Sequence, residues 1–204
     1  MRTIEIDTKI KEMYTEELKS SDQISKIINI SKSRVVCALK KENIKLRSCS
    51  EAQRKYNSNE HYFDNIDSEQ KAYFLGFLFA DGNNYKKTGT ISIKLQQCDA
   101  HILERFKKLI EYNGPIKFVH YKGRVYNKLS INNHNLANQL TKLGCIPKKS
   151  LVLKFPNYLR KDLIPHFVRG YFDGDGCIRV NKKNQLCCYI AGTFNLLSNI
   201  KNKF

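Results

Sequence analysis

The peptide Phe74-Leu75-Gly76-Phe77-Leu78-Phe79-Ala80-Asp81-Gly82 returns 94 residues later as Val168-Arg169-Gly170-Tyr171-Phe172-Asp173-Gly174-Asp175-Gly176. Each copy reads as an apolar helix with Gly in its interior, where Gly costs about 1 kcal/mol against Ala. Each also sets an acidic residue at the helix C-terminus, against the macrodipole. Both choices are locally unfavourable, so the reason for them has to be tertiary. A mid-helix Gly serves two helices that touch backbone to backbone, and a C-terminal Asp is tolerable beside a cation. Two helices packed through Gly76 and Gly170, with the small residues Ala80 and Gly174 in the same contact, bring Asp81 and Asp175 together.

Two such carboxylates with nearby backbone carbonyls make an all-oxygen site suited to Mg²⁺. At these residues the chain resembles the LAGLIDADG (dodecapeptide) homing endonucleases, matching the signature in both copies at the Gly, the last acidic residue and the final Gly. The resemblance implies site-specific, Mg²⁺-dependent double-strand cleavage of DNA across the minor groove, leaving 3′ overhangs. It makes Asp81 and Asp175 the catalytic and metal-binding residues, one for each strand. By the same resemblance Gln96 or Gln97, and Lys128, are candidates for ordering water beside the metal. Ala191 and Gly192 stand in the corresponding place of the second copy.

Charge agrees with a polyanionic partner. Lys and Arg outnumber Asp and Glu by 36 to 19 in 204 residues, for a net charge of +17, an excess that costs self-repulsion. From Asn113 to Lys161 the chain carries Lys117, Lys122, Arg124, Lys128, Lys142, Lys148, Lys149, Lys154, Arg160 and Lys161 with no acidic residue, and this stretch is expected against phosphate. The seven cysteines form no C-x-x-C and have no His at metal-ligand spacing, so reduced thiols are expected. No apolar run approaches membrane-spanning length, and residues Met1 to Glu5 begin no signal peptide, so an intracellular protein is expected. Double-stranded DNA is thus the expected partner, with no membrane and no small-molecule substrate.

The fold class expected is α+β, in four parts. Residues 1-47 read as a three-helix helix-turn-helix module, with Ser21 capping the second helix, Asn29 in the turn and Ser31 capping the third. Val35, Ala38 and Leu39 face inward. Lys32, Ser33 and Arg34, at the start of the third helix, are the expected base readers, and Lys40 and Lys41 the phosphate contacts. Residues 48-66, polar and rich in Asn, Ser, Glu and Lys, read as a linker that could run along the duplex.

Residues 67-161 read as αββαββα, the order of the family's half-domain, whose saddle-shaped sheet lies in the major groove. Asp67 with Gln70 resembles a capping box for a helix from Ser68 to about Ala80, ended by Gly82. Thr90 to Gln97 alternates apolar and polar as a strand. Asp99 caps the next helix, a hairpin turns at Lys122-Gly123-Arg124, and Asn135 to Leu143 is the last helix. Outward candidates for DNA are Ser92, Lys94, Gln96, Lys117, Tyr126 and Lys128, joined by Arg179 from the second copy. Residues 162-204 read as an incomplete second repeat that lacks the equivalent of Tyr112 through Leu143. Truncation or decay is the account taken, and uncovered apolar helix faces are expected from it. Two motifs imply a monomer with pseudo-two-fold symmetry, while the missing segment leaves a partner chain open.

A calcium loop starting at Asp173 fails because Cys177 and Ile178 stand where an oxygen ligand and Gly belong. Asn133-His134-Asn135 lacks the separated histidines of an HNH nuclease. A non-catalytic DNA binder and an RNA maturase remain as rivals, and the helix-turn-helix favours duplex DNA over the second.

Overall fold

The computed structural model describes residues 3-47 and 56-203, and the chain divides into two compact units, Met1–Lys55 and Tyr56–Phe204. The described residues hold eight α-helices, a four-stranded antiparallel sheet and a two-stranded one, a mixed α/β content compatible with α+β.

In the first unit, α1 (Thr3–Thr15), α2 (Ser21–Ile28) and α3 (Lys32–Lys41) enclose Ile10, Met13, Tyr14, Ile24, Val35, Ala38 and Leu39. The cap of α2 is Ser20, one residue before the expected Ser21. Its hydroxyl accepts from the Gln23 amide and the Gln23 side chain accepts from its own, a reciprocal box that Ser21 could not form with Gln at this spacing. Asn29 ends α2 in the left-handed region at φ 56, and Ser31 caps α3 through the Arg34 amide. Helix α1 has no basic residue in its last turn. Arg47 supplies that charge from outside, donating to the Tyr14, Leu18 and Lys19 carbonyls with its guanidinium 4.2 Å from the Tyr14 ring centroid.

The second unit runs α4 (Glu69–Ala80), β1 (Gly82–Tyr85), β2 (Thr90–Gln96), α5 (Ala100–Leu109), β3 (Lys117–Tyr121), β4 (Arg124–Asn132), α6 (His134–Lys142), α7 (Ile164–Asp175), β5 (Gly176–Val180), β6 (Leu186–Ile190) and α8 (Phe194–Lys201). The strands order β1-β2-β4-β3, with β5-β6 apart. Ser68 caps α4 through the Lys71 amide, so the helix begins at Glu69, while Asp67 pairs with the Lys71 ammonium. Gly82 opens β1 and does not cap α4, because Asp81 already takes the cap position. The stretch between α4 and the expected strand at Thr90 thus holds a strand of its own. Asn133 caps α6, which starts at His134, one residue before the expected start, and Asp99 precedes α5 without a side-chain cap bond.

Residues 48-55 of the expected linker lie outside the described residues. From Tyr56 the segment is part of the second unit: Tyr62 and Phe63 are buried in its core, and Phe63 meets the Phe106 ring. Three aromatics within a polar stretch are enough to bind it there, and composition averaged over the segment hides them. The expectation of bare apolar helix faces also needs correction. The α7 residues matching Leu75 and Phe79 are Arg169 and Asp173, so the sequence itself makes those positions polar. What stands exposed is one face of the β5-β6 hairpin, Ile178, Val180 and Leu186, together with Phe194 at the start of α8.

Helix α4 is buried from Ala72 through Phe79, all round its axis, and packs against α7 at closest backbone range. A Cβ on Gly76 would lie 2.0 Å from the Phe167 carbonyl oxygen, and one on Gly170 would lie 1.9 Å from that of Tyr73. Gly76→Ala therefore forces the helices apart, at an expected cost of about 3 kcal/mol or more in urea unfolding. Gly123→Ala, at φ +72 in the open β3-β4 turn, costs only its left-handed backbone, about 1 kcal/mol. Equal losses at the two sites would mean that the helix contact is not tight.

Candidate acidic pair and nucleic-acid interface

The close approach of α4 and α7 continues to their C-termini. A Cβ on Gly174 would fall 2.4 Å from the Ala80 Cβ and 3.2 Å from an Asp81 carboxylate oxygen, so only Gly admits Asp81 against the partner helix. Burial and then the neighbouring Asp175 charge push the Asp81 carboxyl up to about 6, and Lys149 opposes them. The contact thus brings Asp81 and Asp175 together, with Asp175 on the more exposed side. Tyr171, whose hydroxyl donates to the Ala191 carbonyl at 2.9 Å, is raised by burial first and then by the Asp175 charge.

Lys149 is the residue that sequence reasoning misplaced. It was grouped with the phosphate-facing basic run, yet it is buried, and its ammonium donates to the Ala80 carbonyl at 3.0 Å and the Gly82 carbonyl at 2.6 Å. It supplies the cation that an Asp at a helix C-terminus requires, and it occupies the carbonyls expected to complete a metal shell. No signal in the sequence separates it from Lys148 and Lys154. The described residues contain no group of three or more His, Cys, Asp or Glu that could hold a metal. A caged transition metal therefore has no ligand set here. Two neighbouring carboxylates, with the Lys149 charge acting on Asp81, do fit a hard cation that keeps most of its own water, as Mg²⁺ does.

The 94-residue offset pairs Tyr73 with Phe167 and Phe79 with Asp173, and the structure treats these pairs differently. On one flank of the helix pair Phe79 and Phe167 meet edge to face at 5.2 Å. On the other, the Tyr73 hydroxyl donates to the Asp173 carboxylate at 2.7 Å, with the Arg169 guanidinium 5.2 Å from the Tyr73 ring. One flank is dry and one is polar, although the backbone contacts are equivalent.

The four-stranded sheet turns a basic face outward. Lys94 of β2 pairs with Lys128 of β4, which pairs with Lys117 of β3, so three lysines lie side by side across the same face. Like charges opposite one another oppose the sheet unless an anion joins them. The Lys94 ammonium lies 4.3 Å from the Tyr121 centroid and 4.9 Å from that of Tyr126, which holds it on the face. Gln96, Gln97 and Lys117 are exposed, and Tyr126 and Lys128 half-buried. Ser92 is buried between the Asn83 and Ser130 partners, so it does not stand free as expected. Arg179 is exposed on the separate hairpin, 4.5 Å from the Tyr189 centroid.

In the first unit Lys32, Ser33, Lys40 and Lys41 are exposed, with Lys32 paired to Asp22 at 3.0 Å. Arg34 is not available as a reader: its guanidinium reaches back to Asp7 on α1 in a half-buried ion pair. Its place in α3, one residue short of the outward stripe, turns it toward the module.

No protein-family model matches the chain. Two curated proteins of Methanocaldococcus jannaschii are similar to it. One is a replication factor C small subunit, 28% identical over 174 residues that cover 83% of this chain and 9% of that protein. The other is an uncharacterized protein, 28% identical over 163 residues that cover 75% of this chain and 58% of that protein. The chain spans less than two thirds of the length of either. Among solved structures it is similar to the I-LtrWI LAGLIDADG homing endonuclease bound to target DNA, at 12% identity and a TM-score of 0.35, covering 64% of this chain and 65% of that one. A superposition at that level carries no weight for the fold.

Two outcomes are expected from this geometry. Asp81 holds its proton to about pH 6 when folded and releases it near 3.8 when unfolded. Between those values the folded state binds more protons, so stability falls as pH rises through this window and is level for this group above it. Asp81→Asn removes that fall in thermal melts; an unchanged slope would assign it to another group. Lys128→Gln relieves the lysine row and raises stability by about 0.5 kcal/mol at low salt. That gain disappears near 1 M salt, where exposed charges are screened.

Proposed function

We propose that the chain is a site-specific DNA endonuclease of the LAGLIDADG type, in which Asp81 and Asp175 serve one strand each. The observation that carries this reading is the reciprocal Gly76 and Gly170 contact, which delivers both carboxylates to one end of a helix pair. Backbone contact at a cost in propensity is hard to explain by stability alone, and so is a carboxyl lifted to about 6 by burial and then by its neighbour. Asp81 and Asp175 would hold Mg²⁺, which when bound makes water more acidic and neutralises charge on the leaving oxygen. Lys149 keeps the Asp81 end of α4 electrostatically tolerable and fixes the chain between Ala80 and Gly82. The Lys94, Lys117 and Lys128 row meets phosphates of the duplex, with Gln96 and Tyr126 beside it as candidate base contacts. Gln97, just beyond the end of β2, is a candidate for ordering water.

The first unit adds a second DNA contact as a helix-turn-helix, and the chain acts as a monomer with the two motif helices related by a pseudo-two-fold axis. One observation favours a second reading, a DNA binder without cleavage: the Lys149 ammonium takes the Ala80 and Gly82 carbonyls on either side of Asp81.

A supercoiled plasmid carrying the target, assayed with Mg²⁺ beside a gel-shift measurement, separates the two. Asp81→Asn and Asp175→Asn are each expected to abolish cutting of one strand while binding is kept. Loss of binding in step with cutting would sink the catalytic assignment. Cutting by neither variant nor parent, with binding retained, selects the second reading. In either case binding through about eight phosphates weakens roughly 10³-fold or more between about 50 and 200 mM salt.

A further inference from the structure

Helix α3 divides lengthwise into two stripes. Val35, Ala38 and Leu39 are buried in the first unit's core, while Lys32, Ser33, Val36, Cys37, Lys40 and Lys41 line one shallow open groove on the other side. That outer stripe has charge at both ends and two apolar side chains in the middle. Cys37 is exposed and Val36 half-buried, and neither belongs to the core cluster of the unit. A helix that touched only phosphate would have no use for them in that position. Of the two long cations at this end, Arg34 is committed to Asp7 and Lys32 is paired with Asp22.

We propose that α3 reads the thymine methyl group in the major groove through Val36 and Cys37, with Arg34 acting as a strut between α3 and α1 and not as a reader. The proposal rests on the DNA-binding reading above and names what that contact recognises. A valine side chain neither donates nor accepts a hydrogen bond, and a thiol does so weakly. The only apolar group that a base pair offers in the major groove is the C5-methyl of thymine. The charges at the ends of the stripe complement this occupant: Lys40 and Lys41 lie about one turn beyond the apolar pair and suit the flanking phosphates. Ser33, one turn before, is the polar member of the set. The specificity expected is therefore for A·T pairs in one orientation, read by packing.

The test uses the full chain. Its preferred duplex is enriched from a random-sequence pool, and each thymine is then replaced in turn by deoxyuridine, which removes only the methyl. One or two replacements are expected to weaken binding about fourfold each, the loss of one buried methyl. Val36→Ala or Cys37→Ser is expected to make binding indifferent to the corresponding methyl. Cys37→Ser, at an exposed position, serves if Val36→Ala disturbs folding. If every methyl is dispensable while Lys40→Gln and Lys41→Gln still reduce affinity and its salt slope, α3 lies on DNA without reading methyls, and the proposal falls while the DNA-binding reading stands. If neither the methyls nor the lysines matter, the first unit does not contact DNA, and the proposal falls together with the first unit's share of the DNA-binding reading. Arg34→Met gives an independent check: as a strut it lowers the melting temperature and leaves the enriched sequence unchanged, whereas a changed sequence preference would make it a reader.

Discussion

Everything at the acidic end of this protein depends on two backbones touching. At Gly76 and Gly170 the space that a side chain would occupy is filled by a carbonyl of the other helix, and the reciprocity of the contact sets one helix against the other along its length. Gly174 extends the approach to the helix ends, where Asp81 is pressed against the partner helix beside Asp175. The carboxylates meet because the helices do. Their mutual repulsion is then a fixed condition that the surroundings have to answer, and Lys149 answers part of it. The remainder is the physical argument for a cation.

Charge elsewhere repeats this pattern of unfavourable arrangements that a ligand would relieve. Three lysines stand abreast on the outer face of the four-stranded sheet, and tyrosines hold one of them in place where it could otherwise swing away. Solvated basic faces are common, but they do not usually hold lysines in cross-strand register. The first unit uses charge differently: Arg34 and Arg47 are spent on internal ties, which leaves lysines and an apolar strip on the outer side of α3.

Much of the architecture was legible in local pattern. The alternation of β2, the left-handed Asn29 and the Ser31 cap were readable because turn chemistry and period act over a few residues. Errors gathered where two adjacent residues could serve equally well, as at Ser20 against Ser21 and Ser68 against Asp67. The choice there depends on which hydroxyl reaches its amide, a matter of a fraction of a turn. The linker failed for another reason: Tyr62 and Phe63 are outvoted by polar neighbours in any average, yet two buried rings suffice to dock a segment.

The sequence by itself determined that two Gly-bearing apolar helices exist, that each ends in an Asp, and that the second carries polar residues where the first carries Leu75 and Phe79. Only the tertiary structure decided which lysine neutralises Asp81, that Tyr73 bonds to Asp173 while Phe167 meets Phe79, and that Arg34 turns inward. Helix period and capping are set by neighbours three or four residues away, so a sequence states them directly. Lys149 finds Gly82 across 67 residues and Tyr73 finds Asp173 across 100, and no local rule distinguishes those partners from equally suitable residues nearby. Packing makes that choice, because it carries Lys149 to the end of α4 and Asp173 to the Tyr73 hydroxyl.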